Sequence, residues 1–500
     1  MRIAFADFLH WDFHVGSVDH IPLGGAHSAA CHLARSLARA GHEVTFISKT
    51  SQPGVHDGVR CGWWTEFTVP QIRALNFDAV VCILTADRGA RMRNVIGPQP
   101  RLILWNQHAP DEAGVADLSQ AHEREAYDGF VMVSDWQRGQ YQQHFGIEPA
   151  RMTVLRNAIG PAFAQLFAPG ESILAQKTQP PVLAYTSTPF RGLDVLLDAF
   201  PRIREAVPGT QLQIFSSLRV YQIAPENDEA EHGALYRRCR EMEGVEYLGS
   251  VSQPELARRL RHVTALSYPS TFAETSCISV MEALASGCRV ITSDRAALPE
   301  TCAGFARLIP STLSREEYLK RFIEETVAVL RECQTQPDAT EQSLRAQVDH
   351  MNRTATWDLR ATQWVEWLGN LRPHSRPQQA MTIRQAFDLA MQLQGAGRTA
   401  EAGAMFWSII EAQPYHAEAL HQLGLISHQE GDEETAERLI TRAAASHPLV
   451  APYRHSLGVV LQAQGKSAAA IEAYRMAVQL QPHWTEAQNS LRRAIEHQGP

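Results

Sequence analysis

Short apolar runs alternate with longer amphipathic stretches through the first half of the chain. The apolar runs predict β-strands at Arg2–Phe5, Val44–Ser48, Ala79–Leu84, Leu102–Trp105 and Gly129–Ser134. Helical spacing of apolar residues from Cys31 to Ala40, closed by Gly41, predicts a helix between the first two strands. A strand, a glycine-containing loop, a helix and a second strand in this order indicate a Rossmann-like unit on a parallel sheet.

The same alternation resumes after Pro180–Pro181, which mark a boundary between two α/β units. Further strands are predicted at Val182–Tyr185, Gln211–Phe215 and Val245–Gly249, with another beginning at Ala265. That last strand leads through a loop to a largely apolar helix, which Gly287 caps. Ligands of doubly wound sheets bind outside the carboxyl ends of the strands, so the loops that follow these strands are the candidate site.

The last quarter of the chain has a different pattern, an internal repeat with a period of 34 residues. Four columns keep this register: prolines 414, 448 and 482; glycines 397, 431 and 465; alanines 402, 436 and 470; and the bulky apolar residues at 406, 440 and 474. Glycine permits a tight turn between two helices, alanine allows close approach, and proline ends the second helix. The period therefore predicts a repeated helix–turn–helix unit.

These columns resemble the tetratricopeptide repeat (TPR) over about residues 381–484, with a closing helix from Trp484 to Glu496. Three repeats of this kind imply an all-α solenoid with a concave face. Such a face usually binds a peptide or a protein partner. The alternative interpretation is that the repeats serve dimerisation or stabilise the neighbouring domain.

Composition and charge narrow the class of protein. The formal net charge is −8, and no dense basic run exists, so a nucleic-acid partner is not expected. None of the eight cysteines forms a CxxC pair, which argues against a zinc ribbon and favours a reducing, cytoplasmic location. The N-terminal apolar run is too short for a signal peptide, and no apolar stretch is long enough to predict a transmembrane segment.

Two features of the first unit are candidates for ligand binding. Gly24 and Gly25 precede a predicted helix, where backbone amides can approach an anionic or sugar ligand; the alternative is a turn needed only for packing. Their spacing is not G-x-G-x-x-G, so a dinucleotide redox site is not supported. His108 follows a buried strand and is expected to face the cleft, unless it is only a capping or loop histidine.

The second unit carries the stronger candidates. Arg191 stands just before a helix, where a guanidinium binds phosphate oxygens, although a surface salt bridge is the alternative. Glu274 and Glu282 are eight residues apart, about two helical turns, so both carboxylates are expected to point one way from one helix. The alternatives are a helix-terminal charge for Glu274 and a surface glutamate for Glu282. Free amides for a phosphate or hydroxyl ligand are expected at the helix start, at Thr275, Ser276 and Cys277.

With these residues the chain resembles the GT-B retaining glycosyltransferases of family 4 over about residues 1–370. Glu274 and Glu282 meet the family's E-x7-E motif, and Gly24–Gly25 resemble its N-terminal glycine loop. Asn157 resembles the family's asparagine at the domain junction, although Ala158 replaces the following glycine. The helix Trp357–Leu368 resembles the C-terminal helix that crosses back over the N-terminal domain.

The resemblance implies a fold of the α/β class: two Rossmann-like domains that face a cleft, followed by the TPR solenoid. The expected boundaries are 1–170 for the N-terminal, acceptor-side domain, 171–355 for the nucleotide-sugar domain, 356–375 for the crossover helix and linker, and 376–500 for the repeats. The family's usual arginine and lysine in the first loop of the second domain are reduced to Arg191. The expected diphosphate clamp is therefore short of one charge.

The resemblance also implies the roles of the candidate residues. Arg191 and the amides of Thr275, Ser276 and Cys277 would stabilise the departing diphosphate. Glu282 would bind the ribose, while Glu274 and His108 would contact the donor sugar near the reacting carbon. Gly24, Gly25 and Asn157 complete the expected donor site, which needs no metal and no cofactor other than the nucleotide-sugar substrate.

The acceptor is left open by the sequence. Fusion to a peptide-binding solenoid favours a protein acceptor, because the repeats would raise its local concentration at the cleft. A second hypothesis is a glycan or lipid-linked acceptor, with the repeats recruiting a partner. A third is a scaffold with an inactive transferase half, against which both glutamates argue, and a nucleotide-sugar epimerase is a distant fourth. The base and the sugar of the donor are not predicted.

Overall fold

The structure is a computed structural model that describes residues 1–63, 68–374 and 383–497. The chain divides into two units, Met1–His374 and Ser375–Pro500. The predicted boundary at 375/376 and the first residues of the predicted repeat region, 376–382, lie outside the described residues. The predicted boundaries at 170/171 and 355/356 stay predictions.

The first sheet of unit 1 has the order β3-β4-β2-β1-β5-β6-β7-β8. Its strands are β1 (Arg2–Ala6), β2 (Glu43–Ile47), β3 (Gly54–His56), β4 (Val59–Gly62), β5 (Ala79–Ile83), β6 (Arg101–Trp105), β7 (Gly129–Met132) and β8 (Met152–Val154). Neighbouring strands are parallel except β3 and β4, which form an antiparallel pair that the sequence pattern did not reveal. The central strands are buried on both faces, which explains their continuous apolar runs.

Helices cover this sheet on both faces. They are α1 (Gly25–Arg39), α2 (Val69–Ala74), α3 (Gly89–Ile96), α4 (Ala121–Ala126) and α5 (Asp135–Phe145). One hydrophobic cluster joins the sheet to α1, and a second joins its other face to α3 and α5. The chain therefore forms the Rossmann-like arrangement that the sequence predicted for its first half.

The second sheet has the order β11-β10-β9-β12-β13-β14 and is entirely parallel. Its strands are β9 (Val182–Tyr185), β10 (Gln211–Ile214), β11 (Val245–Tyr247), β12 (Ala265–Tyr268), β13 (Arg289–Ser293) and β14 (Ala306–Ile309). The helices of this part are α6 (Leu193–Ala206), α7 (Pro225–Glu241), α8 (Gln253–Leu260), α9 (Ile278–Ala285), α10 (Leu298–Cys302), α11 (Arg315–Thr335) and α12 (Pro337–Thr354). A second Rossmann-like part is thus confirmed.

The helix α13 (Trp357–Asn370) returns from the second part to the first. Its Trp357, Trp364 and Leu368 belong to the hydrophobic cluster beneath α1. The ring of Trp364 meets that of Trp105 edge-on, with the ring centroids 5.2 Å apart. This packing fixes α13 on the N-terminal part, as the sequence predicted for the crossover helix.

Unit 2 is entirely helical within the described residues. Its helices are α14 (Ile383–Gly395), α15 (Thr399–Ala412), α16 (Ala417–Gln429), α17 (Glu433–Ser446), α18 (Ala451–Ala463), α19 (Ser467–Leu480) and α20 (Thr485–His497). Each predicted turn glycine has positive φ, the alanine column is fully buried, and the prolines follow the ends of α15, α17 and α19. The structure therefore confirms the repeated helix–turn–helix unit that the 34-residue period predicts. The helices of unit 2 pack around hydrophobic clusters of their own.

Two further observations concern the whole described chain. All eight cysteines are buried free thiols. Among the helices of the described residues, none combines the length and the apolar character that crossing a bilayer requires.

The turn that carries Arg191 depends on the glycine after it. Gly192 precedes α6 with φ of 111°, and a Cβ atom there would overlap the carbonyl oxygen of Pro269. This close approach sets the loop after β9 against the loop after β12. A glycine that only ends a helix offers a comparison. Gly146 after α5 has φ of 65°, and no atom of the described residues beyond its chain neighbours lies within 4 Å of a would-be Cβ.

Gly146→Ala is expected to cost about 1 kcal/mol of unfolding free energy, because only the left-handed backbone is penalised. Gly192→Ala adds an overlap with backbone, so we expect a cost of roughly 2–4 kcal/mol. Urea unfolding of the full chain measures both. Equal costs for the two variants would mean that the contact with Pro269 does not constrain the loop.

Candidate active site

A cavity of about 590 Å³ lies between the two sheets of unit 1. Its walls are the loops that follow the carboxyl ends of β1, β5, β6, β9, β10, β11 and β12, together with the beginnings of α1, α8 and α9. Parallel sheets place such loops at one edge, and here both sheets turn that edge to the same space. The predicted cleft is therefore present and open to a ligand of ordinary size.

Hydrogen bonds between the two α/β parts hold these edges together. The hydroxyl of Thr275 donates to the carbonyl oxygen of Gln107 at 2.6 Å. The Gly24 amide donates to the Val220 carbonyl oxygen at 2.9 Å. Because the bonding partners border the cavity, the contact between the parts and the shape of the cavity are coupled.

Arg191 and Glu274 meet on the second wall of the cavity. The Arg191 Nη1 lies 2.8 Å from Glu274 Oε1, and the Tyr268 hydroxyl donates to the same oxygen at 2.6 Å. The guanidinium also lies 4.1 Å from the centre of the Phe272 ring, a cation–π contact. Burial opposes the charge of Arg191, but the neighbouring Glu274 carboxylate raises the pKa of the guanidinium well above its ordinary value. The two side chains therefore form an ion pair at the cavity wall, with Glu274 buried and Arg191 partly exposed, whereas the sequence analysis assigned each a separate role.

The expectation that Glu274 and Glu282 share one helix is wrong. The helix α9 begins at Ile278, so Glu282 lies inside it, whereas Glu274 lies in the loop before it. The chain leaves β12 and needs the intervening residues to turn back along the sheet before helical geometry starts. Both carboxylates nevertheless line the same cavity.

Glu282 belongs to a hydrogen-bonded relay that crosses between the two parts. Gln253 Nε2 donates to Glu282 Oε1 at 3.2 Å, and Gln253 Oε1 lies 2.8 Å from His32 Nε2. Glu282 is 4% exposed, and burial raises the pKa of its carboxyl group from 4.5 to about 8. Glu282 is therefore mostly protonated at neutral pH and is able to donate a hydrogen bond as well as accept one.

His108 reaches the cavity from the first part, as predicted. Its amide donates to Asn106 Oδ1 at 2.6 Å, and its carbonyl oxygen accepts from Gln137 Nε2 and the Tyr141 hydroxyl at 3.0 and 3.1 Å. These buried partners fix the loop after β6. Burial lowers the pKa of the His108 imidazole, with Glu112 opposing the shift, so the ring is neutral at physiological pH.

The predicted backbone donors are arranged differently at the two helix starts. At α1 the Gly24 amide is engaged by Val220, so it does not face a ligand; Gly25 and the residues after it line the cavity. At α9 the amides of Thr275, Ser276 and Cys277 donate no hydrogen bond to any described residue. The Gly25 amide likewise donates no hydrogen bond to any described residue, so of the predicted amides only that of Gly24 is engaged.

Asn157 does not line the cavity, contrary to the expectation that it binds the donor. It is fully buried, and its Nδ2 donates to Gln107 Oε1 at 2.9 Å. Gln107 does line the cavity, so Asn157 holds the side chain of a cavity residue in position without contacting the cavity itself. The short side chain and its position at the domain junction place it below the surface of the cleft.

Sequence reasoning missed several residues of the cavity. Trp11, Tyr221, Gln253, Thr186 and Thr188 all line it. Both threonines stand in the polar loop directly after β9, a signal that strand-end placement offered. Trp11, Tyr221 and Gln253 come together only through packing of distant segments, and their local sequence carries no corresponding signal.

Comparisons with known proteins agree with this geometry. Residues 180–324 match the family model described as Glycosyl transferases group 1. No curated protein matches the chain in sequence. Among solved structures, sucrose-phosphate synthase from Thermosynechococcus elongatus is similar with a TM-score of 0.55 and 15% identity, over 74% of this chain and 98% of that one. HepE from Anabaena in complex with UDP is similar with a TM-score of 0.52 and 15% identity, over 74% of this chain and 100% of that one.

These similarities define the class of the protein. The two facing Rossmann-like parts have the GT-B fold of the solved glycosyltransferases. The family match spans Arg191, Glu274 and Glu282, so the segment with the sequence similarity also builds the second wall of the cavity. The chain thus combines a GT-B fold, with a glycosyltransferase group 1 segment at residues 180–324, and a C-terminal helical-repeat unit.

Glu282→Gln tests the buried state of that carboxyl group. A glutamic acid with a raised folded pKa loses its contribution to stability as pH rises from 4.5 to about 8, and glutamine does not titrate. We therefore expect Glu282→Gln to raise the Tm at pH 8.5 by several degrees more than at pH 5. Thermal unfolding across this range measures the difference. The matched control is Glu205→Gln, which makes the same exchange at an exposed position of α6.

A Tm difference for Glu282→Gln that is the same at both pH values would contradict the buried, protonated state of this side chain.

Proposed function

We propose that the chain transfers a sugar from a nucleotide-sugar donor to an acceptor, with retention of configuration at the anomeric carbon, as the family 4 enzymes that it resembles do. The observation that carries the proposal is the cavity between the two Rossmann-like parts, on which Arg191, Glu274 and the free amides before α9 converge. Its volume of about 590 Å³ is in the range of small-molecule sites. HepE, whose fold is similar, has been solved in complex with UDP-glucose, which supports a donor of this class.

Donor binding follows from the chemistry of the cavity walls. The protonated carboxyl group of Glu282 suits a pair of ribose hydroxyls, because it offers one donor and free acceptor positions. The neutral imidazole of His108 suits a sugar hydroxyl on the opposite wall. The amides before α9 and the Arg191 guanidinium suit the diphosphate.

The rate acceleration comes from stabilising the leaving group. Negative charge gathers on the diphosphate as the bond to the anomeric carbon breaks, and fixed donors at that place lower the barrier. The Glu274 carboxylate holds the Arg191 guanidinium in position, so the guanidinium does not reorganise during the reaction. Contact between the two parts limits water, and with it hydrolysis of the donor. No step in this account requires a metal ion.

The acceptor is proposed to be a protein or peptide that unit 2 binds. Stacked helical pairs form extended surfaces that suit polypeptides, and tethering such a site to a transferase raises the local acceptor concentration. The open donor cavity and the intact pair Glu274 and Glu282 speak against a scaffold without activity.

A donor panel tests the proposal. The full chain is incubated with UDP-, GDP- and ADP-sugars, with mass spectrometry of released nucleotide and of candidate protein acceptors. We expect turnover of one donor, and Glu274→Ala should lower it by at least about 100-fold, because Arg191 loses its anchor and the sugar loses a contact. Glu255→Ala, at a partly exposed ion pair of the same part that does not line the cavity, is the matched control and should keep full turnover.

The acceptor is tested in the same assay with a chain that ends at His374. The expected outcome is retained donor hydrolysis with loss of transfer to protein. Undiminished transfer to protein would show that the repeats do not present the acceptor, and absence of any donor turnover by the full chain would contradict the proposed function itself.

A further inference from the structure

The cavity is poor in positive charge for a site that takes a diphosphate. Among the described residues that line it, Arg191 is the one lysine or arginine. Its guanidinium is already paired with the Glu274 carboxylate at 2.8 Å. The Glu112 side chain also lines the cavity, so the charged side chains as a set do not favour an anion. If phosphate oxygens bind here, other groups must bind them.

Two buried hydroxyl groups are the strongest such candidates. Thr186 is 9% exposed and Thr188 is 6% exposed, and both line the cavity. Neither Oγ1 atom has a hydrogen-bond partner within the part of the chain that the structure describes. A buried hydroxyl without a protein partner costs free energy, and at a cavity wall a bound ligand can supply the missing hydrogen bond.

The backbone of the same loop is held in place by neighbouring side chains. The Tyr185 hydroxyl donates to the Thr188 carbonyl oxygen at 2.7 Å, and the Ser279 hydroxyl donates to the Thr186 carbonyl oxygen at 2.8 Å. These bonds engage backbone carbonyl oxygens, so the two threonine hydroxyls stay without a partner among the described residues, as does the Nε of Arg191. Because Ser279 lies in the first turn of α9, they also tie the loop to the free amides that precede this helix.

We infer that the Thr186 and Thr188 hydroxyls donate hydrogen bonds to the phosphate oxygens of the donor, in the place where a second cationic side chain would otherwise act. The inference rests on the proposed function and specifies how that site recognises its substrate. Uncharged hydrogen-bond donors suit this cavity, because a second cationic side chain beside Arg191 would compete with Arg191 for the Glu274 carboxylate. Hydrogen bonds to a charged phosphate are stronger than those between neutral groups, so two hydroxyls and the α9 amides are a sufficient replacement.

The test is calorimetric titration of the full chain, in EDTA, with UDP, GDP and ADP and with the matching nucleosides. Thr186→Val and Thr188→Val keep the shape of the side chain and remove the hydroxyl. Each should weaken the affinity for the nucleoside diphosphate by about ten-fold or more and leave the affinity for the nucleoside unchanged. Thr188→Ser, which keeps the hydroxyl, should restore binding to within about two-fold of the parent.

Thr292→Val is the matched control. Thr292 lies on β13, is fully buried, also has an unpartnered hydroxyl, and does not line the cavity. All three valine variants should leave the Tm of the ligand-free protein unchanged or raised, because each removes an unpaired buried group. Only the variants at positions 186 and 188 should lose affinity for the diphosphate.

The outcomes separate the two proposals. Binding of a diphosphate that the valine variants leave within about two-fold overturns the inference alone, as does an equal loss for nucleoside and diphosphate. If none of the three diphosphates binds the parent chain, the proposed function fails and the inference fails with it. Loss of diphosphate affinity confined to positions 186 and 188 supports both.

Discussion

Hydrogen bonds between the two α/β parts fix the cavity, and the role of each cavity residue depends on them. The Thr275 hydroxyl binds the Gln107 carbonyl oxygen, and the Gly24 amide binds the Val220 carbonyl oxygen. The relay from His32 through Gln253 to Glu282 adds a third connection, deep in the same region. These contacts use backbone and side-chain groups at the strand ends and helix starts. The elements that create the binding edge of each sheet therefore also join the sheets.

Electrostatic balance decides how the cavity binds its ligand. The Arg191 guanidinium is paired with Glu274, and Glu282 is kept mostly neutral by burial. A buried cation is stable only when paired, and a buried carboxyl group without a cation takes up a proton. What remains for an incoming anion is a set of neutral donors, the hydroxyls after β9 and the amides before α9. Such donors need no rearrangement when charge develops on a leaving group.

Much of this architecture was predictable from local sequence, because it depends on local periodicity. Buried parallel strands give continuous apolar runs, and the repeat columns specify the turns and close contacts of unit 2. Contacts between distant segments were not predictable, which is why the Arg191–Glu274 pair and the place of Asn157 behind Gln107 came only from the structure. The helix start was misplaced for a related reason. Eight-residue spacing predicts a shared face only if the whole segment is helical, and the turn out of β12 delays α9 until Ile278.

The central claim is that one cavity holds an activated sugar between the two parts of unit 1. A crystal structure of the full chain with the nucleotide sugar that it consumes fastest tests this most directly. The account predicts phosphate oxygens within about 3.2 Å of the Thr188 hydroxyl and the Arg191 guanidinium, with the sugar between His108 and Glu274. A nucleotide bound outside this cavity, or a sugar remote from Glu274, would contradict it.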